Sequence, residues 1–322
     1  MLPRATAVET SPSDPVRLFA SREPWTQSLA YVAGLQDRGW ACLLAGGAVL
    51  AVQPGRDGPS ARMQRPQVID VPQIDAICSR LPLRSLRVEP ALQGVIVDRD
   101  GRRHRWDYDR QRPCFEPLLE LGWRPAQRLS GHTKTRVIDL RPELPQVVQQ
   151  FSSVARRNTR AALARDDVQY VDVSFHEASN EQRAALQQLD EQFRRTRPKL
   201  RDEWAIRSSI ATHLGPKGRY LLALHQTQLV GAVYLVMHDR VGSYFVAQAT
   251  ETAKALRVPT GLVHATMAVA REHGCDLLDF VGVHDERFPH ALTSWAGFTA
   301  FKERFGGQPV YLPPALEVPL PG

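Results

Sequence analysis

One lysine lies among aromatic residues near the end of the chain, in residues 295–312 (WAGFTAFKERFGGQPVYL). Phe298, Phe301 and Phe305 are three and four residues apart, which places them on one buried stripe of a short helix. Lys302 lies at the margin of that stripe and is one of only five lysines in the chain. This spacing fits either an ammonium group that stabilises charge in a site or a surface lysine on an amphipathic helix.

A second group of candidate residues belongs to a short apolar strand predicted at 276–281 and to the loop after it. Asp279 lies late in this strand, where the active-site side chains of α/β layers are often found. His284, Asp285 and Glu286 follow, but adjacent ligands on one loop without a distant partner are a weak metal signal. The sequence therefore offers Asp279 as a candidate catalytic carboxylate and implies no metal and no cofactor.

Two clusters of basic residues could contact phosphate. Arg156 and Arg160 are four residues apart on one face of a predicted helix, next to Arg157. The segment 193–201 (FRRTRPKLR) places further basic side chains around Pro198, which ends the preceding helix. A guanidinium group can bind phosphate through two hydrogen bonds, although a solvated basic surface has the same composition. The candidate substrate-binding residues of the second cluster are Arg194, Arg197, Lys199 and Arg201.

The elements that must position these residues follow from hydrophobic periodicity and turn signals. Apolar runs at 220–225, 229–237 and 243–249, separated by polar turns, predict an antiparallel three-stranded meander. A helix at 259–273 follows it, and strands and helices alternate afterwards, which predicts a mixed α/β fold. Further helices are predicted at 24–38, 70–81, 113–121, 143–165, 179–196, 202–213 and 297–305, further strands at 40–45, 47–53, 84–89, 137–140, 168–175 and 308–312, and loops at 54–66 and 98–112.

Length, charge and cysteine content exclude several classes of protein. The 322 residues, the net charge of +7 and the pI of about 9.5 fit two domains and an anionic partner. The longest apolar run, Trp40 to Val52, is shorter than the roughly 20 residues of a membrane-spanning helix. The cysteines form no C-x-x-C pair, which excludes a zinc ribbon or a dithiol redox motif, and their low number and wide spacing fit a reducing cytoplasm. No P-loop, dinucleotide-binding, nucleophile-elbow or H-E-x-x-H motif occurs.

Short motifs recur in a characteristic order along most of the chain. They are WTQS at 25–28, VEP at 88–90, GW at 122–123 followed by TKTRVIDL at 133–140, RRNTRAA at 156–162, DFVGV at 279–283 and GFTAFKERFG at 297–306. In this order they resemble the FemABX family, the tRNA-dependent aminoacyltransferases that build peptidoglycan bridges.

The resemblance implies two GNAT-like acyltransferase domains packed side by side, without the coiled-coil arm of some members. The first domain would comprise residues 1–141 with a C-terminal strand within 306–322, and the second would comprise residues 142–305. In such enzymes the lysine of the F-K-x-x-F-G segment stabilises charge during acyl transfer, a role that falls here on Lys302. An aminoacyl ester is already activated, so the attacking amine needs only a base, for which Asp279 and Asp109 are candidates.

The reaction implied by the resemblance transfers an amino acid from aminoacyl-tRNA to an amine of a peptidoglycan precursor peptide. We expect a cytoplasmic protein whose precursor is nucleotide-linked or lipid-linked at the inner membrane surface. The family's lysine after the Gln-Ser motif, which contacts substrate phosphates, has no counterpart, and Arg38 is the first basic residue there. Arg38 is therefore a further candidate substrate-binding residue, and the nucleotide-linked acceptor is less favoured.

Three other functions stay open, together with the amino acid, the acceptor and the oligomeric state. The first is acyl-CoA-dependent N-acyl transfer, for which such proteins carry an R/Q-x-x-G-x-G/A loop whose amides hold the pyrophosphate. The corresponding stretch is ALRVPTGLV, where only Gly261 could serve. The second is tRNA-dependent peptide-bond formation in secondary metabolism. The third is a non-catalytic module that binds RNA or a membrane surface.

Overall fold

Three β-sheets form two lobes in this protein. A six-stranded sheet and a small three-stranded sheet form the first lobe, and a seven-stranded sheet forms the second. The mixed α/β class predicted from the sequence is therefore confirmed. The computed structural model describes residues 14–109, 114–126, 131–195, 203–291 and 293–320.

The strands of the first lobe include three that the sequence did not predict and that lie between residues 60 and 97. The bounds are β1 (Ala41–Ala45), β2 (Ala48–Gln53), β3 (Ser60–Gln64), β4 (Val68–Asp70), β5 (Ser85–Glu89), β6 (Gln93–Val97), β7 (Arg103–Asp107), β8 (Arg124–Pro125) and, from the end of the chain, β16 (Leu316–Glu317). The large sheet has the order β1-β2-β3-β5-β16-β8 and the small sheet the order β4-β6-β7. Within the large sheet, β3 and β5 are the parallel neighbours.

Two predictions of loops in this lobe are wrong. Residues 54–66 contain β3, whose inward residues Ala61 and Met63 are buried between flanking polar residues. Residues 98–112 contain β7, an edge strand of sequence RHRWD in which only Trp106 is buried. Both strands have few apolar residues. The alternation of apolar and polar residues that indicates a strand was therefore too weak to recognise in these segments.

Three helices of the first lobe begin at side chains that accept backbone N–H groups. Ser28 caps the second helix by accepting the N–H of Tyr31, and Asp70 caps the third by accepting the N–H of Gln73. Such caps satisfy N–H groups that lack a partner within the helix. The helices are α1 (Pro15–Ala20), α2 (Leu29–Gln36), α3 (Val71–Arg80) and α4 (Glu116–Glu120), with a 3₁₀ turn at Trp25–Gln27 before α2.

The second lobe is built around the predicted meander, which is confirmed. Its strands are β9 (Lys134–Asp139), β10 (Val168–Ser174), β11 (Gly218–His225), β12 (Gln228–His238), β13 (Val241–Ala249), β14 (Leu277–Asp279) and β15 (Gln308–Tyr311). They follow the order β10-β11-β12-β13-β14-β9-β15, and β13 and β14 are the parallel neighbours.

The helices of the second lobe cover both faces of this sheet. They are α5 (Leu144–Gln149), α6 (Ser153–Leu163), α7 (Asn180–Arg195), α8 (Trp204–Leu214), α9 (Glu251–Ala255), α10 (Val258–Glu272) and α11 (Ala296–Glu303), with 3₁₀ turns at Gly215–Lys217 and Thr293–Trp295. Of the helices in the described ranges, none combines the length and the apolarity that crossing a bilayer requires.

The single helix predicted at 143–165 is wrong, because it is interrupted between α5 and α6. The N–H of Ser152 donates to the carbonyl oxygen of Arg304, and the hydroxyl of Ser152 accepts the N–H of Ala155. The guanidinium of Arg156 donates to the free carbonyl oxygen of Phe151 at 2.9 Å. These partners satisfy the backbone groups that a break exposes, and one of them is distant in sequence.

The two lobes share a hydrophobic core. Tyr31 and Leu35 of α2 pack in one buried cluster with Ile210 of α8 and Tyr234 of β12. The helices α2 and α8 approach closely at Gly34, where an added Cβ would lie 2.6 Å from the Cα of Ile210. Contacts between α2 and α8 therefore join the two lobes directly.

The division of the chain at residue 141 stays a prediction. The last strand, β16, pairs with β5 and β8 in the first lobe, while β9 and β15 pair with each other in the seven-stranded sheet. The chain therefore enters the second lobe at β9 and leaves it after β15, and these two strands are neighbours at one edge of the seven-stranded sheet.

Candidate active site between the two lobes

In each of the two larger sheets, the ladder of the parallel strand pair ends at the same interlobe cavity. The last paired residues are Gln64 and Glu89 in the first lobe and Ser243 and Asp279 in the second. All four side chains line the cavity, which has a volume of about 130 Å³. One water needs roughly 10–15 Å³ on this measure, so the cavity has room for a small organic group.

The wall of the cavity combines apolar and polar groups, as ligand sites commonly do. Trp25 packs edge-on against Tyr31 and Phe245, with ring centroids 5.4 and 5.0 Å apart. This packing fixes a large aromatic surface beside the polar strand ends. The larger side chains of the apolar wall include Phe19, Trp25, Leu92, Val241 and Leu312.

The segment 19–26 closes one side of the cavity and is tied to the second lobe by ion pairs. The guanidinium of Arg22 donates to a carboxylate oxygen of Asp276 at 2.8 Å. The N–H of Glu23 donates to Asp239 at 2.7 Å, and the Glu23 carboxylate lies 3.0 Å from His238 Nε2. These contacts fix the wall in place from the side of the second sheet.

Asp279 ends β14 and is 6% exposed. Burial raises the pKa of this carboxyl, while hydrogen bonds from Thr135 and from the Val281 N–H, together with the charges of Lys302 and Arg65, lower it. The hydroxyl of Thr135 and the N–H of Val281 both donate to Oδ1. Asp279 is therefore a fixed carboxylate with a raised pKa, which suits a general base.

Lys302 lies behind the turn that follows Asp279. Its ammonium donates to the carbonyl oxygens of Phe280 (2.6 Å), Val281 (3.3 Å) and Gly282 (2.8 Å). Burial lowers the pKa of Lys302 to about 8, and the charge of Asp279 raises it. In the described part of the chain Val281 lines the cavity and Lys302 does not, so this turn separates the ammonium from the cavity.

Arg65 comes from the first lobe and follows β3. Its φ of +55° is in the left-handed region, which residues other than glycine adopt at a cost. Its guanidinium donates to the carbonyl oxygens of Pro90 (3.3 Å) and His132 (2.7 Å). Burial lowers the pKa of Arg65, whereas the charges of Glu89 and Asp279 raise it. Arg65 therefore places a cation between buried carboxylates of both lobes.

His132 is a neutral group in the wall of the cavity. Burial lowers its pKa to about 3, and the charges of Arg65 and Lys302 lower it further. Its Cβ lies 3.1 Å from the position where Gly282 would carry a Cβ, so His132 packs against the turn held by Lys302. A neutral imidazole can donate or accept one hydrogen bond toward the cavity.

The predicted phosphate-binding arginines lie outside this cavity. Arg156 and Arg160 are exposed on α6, and Arg156 also donates to the carbonyl oxygen of Gln149 at 2.8 Å. Arg194 donates to Asp190, which is 1% exposed, at 3.0 Å. Arg38 is exposed just after α2. The candidates Arg197, Lys199 and Arg201 lie outside the described residues.

The other candidates from the sequence lie away from the cavity as well. Asp109 is exposed just after β7. Asp285 accepts a hydrogen bond from Thr133 and forms an ion pair with Arg287 at 2.7 Å. Its carboxylate oxygens therefore bind neighbouring residues of the fold. Among the residues described, no three His, Cys, Asp or Glu side chains gather as metal ligands.

The fold matches a family model and several solved structures. Residues 149–289 match the model of the acetyltransferase (GNAT) domain. The crystal structure of FemX superposes with a TM-score of 0.68 and 12% identity over 94% of each chain. This chain has a FemX-like fold of two GNAT lobes. The resemblance to the FemABX family and the two-lobed architecture predicted from the sequence are thereby confirmed.

Two further structures share the FemX-like fold. The C-terminal domain of a protein described as a lysylphosphatidylglycerol synthetase of Agrobacterium fabrum has a TM-score of 0.59 at 14% identity, over 92% of this chain and 89% of the other. The L-PGS structure from Bacillus licheniformis has a TM-score of 0.56 at 13% identity, over 95% and 91%. No curated protein gives a significant match to this sequence.

Sequence reasoning named Asp279, which lines the cavity, and Lys302, which lies behind the turn after it, but it missed Glu89, Arg65 and His132. Glu89 belongs to the VEP motif that carried the family resemblance, and this motif is the signal that could have found it. Arg65 and His132 lie in segments without periodicity or motif. Both come to the cavity only through the pairing of strands that are distant in sequence.

Proposed function

We propose that this protein is an aminoacyltransferase that moves an amino acid from aminoacyl-tRNA to an amine of a peptidoglycan precursor peptide. The observation that carries the proposal is the interlobe cavity in which Asp279 of one lobe faces Glu89 and Arg65 of the other. A buried carboxylate beside a buried cation suits the attack of an amine on an activated ester.

The reaction needs no covalent enzyme intermediate, because the aminoacyl ester is already activated. The nitrogen of the acceptor amine forms a bond to the ester carbonyl carbon, and Asp279 accepts the proton that the nitrogen loses. The bond between that carbon and the terminal ribose oxygen then breaks. The ribose oxygen takes the proton from Asp279, which returns the carboxylate to its starting state.

The start of α10 favours a tRNA donor over acyl-CoA. GNAT proteins that use CoA hold its pyrophosphate on backbone N–H groups at the corresponding helix start. Here Val258 is fully buried, and the next residue is a proline without an N–H. An added Cβ at Gly261 would lie 2.0 Å from the hydroxyl oxygen of Tyr170, so this side chain fills the space beside the helix.

The proposal is tested by incubating the purified protein with charged tRNAs and either a nucleotide-linked or a lipid-linked precursor. Mass spectrometry should show an acceptor heavier by one amino-acid residue, and D279N should lose this product. A parallel reaction with acetyl-CoA tests the second candidate, acyl-CoA-dependent transfer, which the acetyltransferase (GNAT) match favours. Acetylation alone, or no transfer from any tRNA, would refute the tRNA-dependent function.

A further inference from the structure

The ammonium of Lys302 has no hydrogen left to offer a substrate. A lysine ammonium has three N–H donors, and three backbone carbonyl oxygens accept them at 2.6, 3.3 and 2.8 Å. These carbonyls belong to the turn at residues 280–282, in which Val281 has a φ of +48°. A β-branched residue in this region is strained. The contacts of Lys302 therefore hold a strained turn in place.

The guanidinium of Arg65 does have donors available in the cavity. It has five N–H groups, and the carbonyl oxygens of Pro90 and His132 accept two of them. In the described residues no acceptor takes the others, and Arg65 lines the cavity. Arg65 is thus held by two backbone carbonyl oxygens and still presents a cation to a bound group.

The charge of Arg65 is coupled to that of Asp279. The carboxylates of Glu89 and Asp279 both interact with the guanidinium of Arg65. Glu89 comes from the first lobe, and Asp279 comes from the second. When Asp279 takes the proton of the attacking amine, its negative charge disappears from this pair. At the same moment negative charge develops on the carbonyl oxygen of the substrate, where a fixed cation stabilises it strongly.

We propose that Arg65 of the first lobe stabilises the oxyanion of the transition state, and that Lys302 is a positioning residue that holds the turn after Asp279. The proposal rests on the acyl-transfer function proposed for this cavity. It makes the site a composite one, with the base from the second lobe and the oxyanion-stabilising cation from the first. The electron pair of the carbonyl bond moves to this oxygen as the carbon–nitrogen bond forms, and it returns when the ester bond breaks.

The variant R65G tests this role without a folding penalty at the backbone, because glycine adopts a φ of +55° freely. We expect kcat to fall by about 10²–10³-fold, the usual loss when an oxyanion donor is removed, with KM little changed. Guanidinium ion at millimolar concentration should restore part of the activity in a saturable way. Purely structural loss would not be rescued by a free cation.

Two other variants serve as controls. R62Q alters the neighbouring arginine of β3, which donates to the Tyr31 hydroxyl at 3.0 Å and lies over Trp40, outside the described cavity wall. It should keep wild-type kcat and show no response to guanidinium. K302A should lose activity that neither guanidinium nor methylammonium restores, because a free cation cannot hold the turn.

The proposal is overturned if R65G keeps kcat within about tenfold of wild type, or if guanidinium fails to rescue it. It is also overturned if methylammonium rescues K302A, since Lys302 would then supply the charge itself. The reactions use whichever acyl donor the wild-type protein accepts. A wild-type protein that uses only acetyl-CoA would refute the tRNA-dependent function, while the comparison of R65G with R62Q would still decide the role of Arg65.

Discussion

Replacing Lys302 with methionine should change how the stability of the protein depends on pH. In the folded protein burial lowers the pKa of Lys302 from 10.5 to about 8. At about 1.36 kcal/mol per pKa unit, the folded state therefore carries a cost of at most about 3 kcal/mol for this buried ammonium. Methionine has a similar length and no charge, so the variant K302M lacks this cost and also lacks the three hydrogen bonds.

The sign follows from the protons bound in each state. Below pH 8 Lys302 is protonated in both the folded and the unfolded chain, so the cost is fully present. Between pH 8 and 10.5 the unfolded chain binds the proton and the folded chain does not, so the wild-type protein gains stability as pH rises. The gain relative to K302M should approach about 3 kcal/mol near pH 10.5.

Urea unfolding of both proteins at pH 7, 8, 9 and 10 measures this difference. The other tyrosine, cysteine and lysine groups titrate in both proteins, so their contributions cancel when the two free energies of unfolding are subtracted. The lost hydrogen bonds shift the curve of K302M by a constant amount below pH 8. A difference between the two proteins that stays constant from pH 7 to pH 10 would refute the description of Lys302 as a buried cation.

Three other substitutions have expected outcomes. D279N should lower kcat by about 10²–10⁴-fold. It should also remove the acidic limb of the pH–rate profile; in the wild-type protein the apparent pKa of this limb should lie above the ordinary aspartate range, because burial raises the pKa of Asp279. G34A should destabilise the protein by about 1–3 kcal/mol in urea unfolding, because its Cβ would lie 2.6 Å from the Cα of Ile210; a change of only a few tenths would contradict this packing. R194Q should destabilise by about 1–3 kcal/mol, since it breaks the 3.0 Å contact with buried Asp190, while steady-state kinetics should show an unchanged kcat; a large loss of activity would instead place Arg194 at a substrate.

Elements with strong local signals could be predicted from the sequence. The three apolar runs of the meander appear as β11, β12 and β13, and the helix predicted at 259–273 appears as α10. Hydrophobic period and turn residues act within about ten positions, so they need no knowledge of distant partners. The motifs that predicted the two-lobed fold are each contiguous in the sequence, so they too could be recognised without knowledge of distant partners.

Elements with weak local signals were missed, and the break in the helix at 143–165 is the clearest case. Residues 143–165 read as one continuous helix, yet the carbonyl oxygen of Arg304 accepts the N–H of Ser152 and stabilises the interruption. The strand β7 was missed for a similar reason. Its other residues are charged or polar, and only Trp106 is buried against the first-lobe core. In both cases tertiary contacts outweigh local preference.

The sequence by itself determined the central meander, and its ordered motifs predicted the two lobes and named Asp279 and Lys302 as candidate catalytic residues. Only the tertiary structure decided that Lys302 uses its hydrogens on the turn at 280–282 and that Arg65 presents its cation to the cavity. The reason is that the direction of a side chain depends on the partners that surround it. The carbonyl groups around Lys302 and the strand ends around Arg65 come together only when two sheets, built from distant parts of the chain, meet at one cavity.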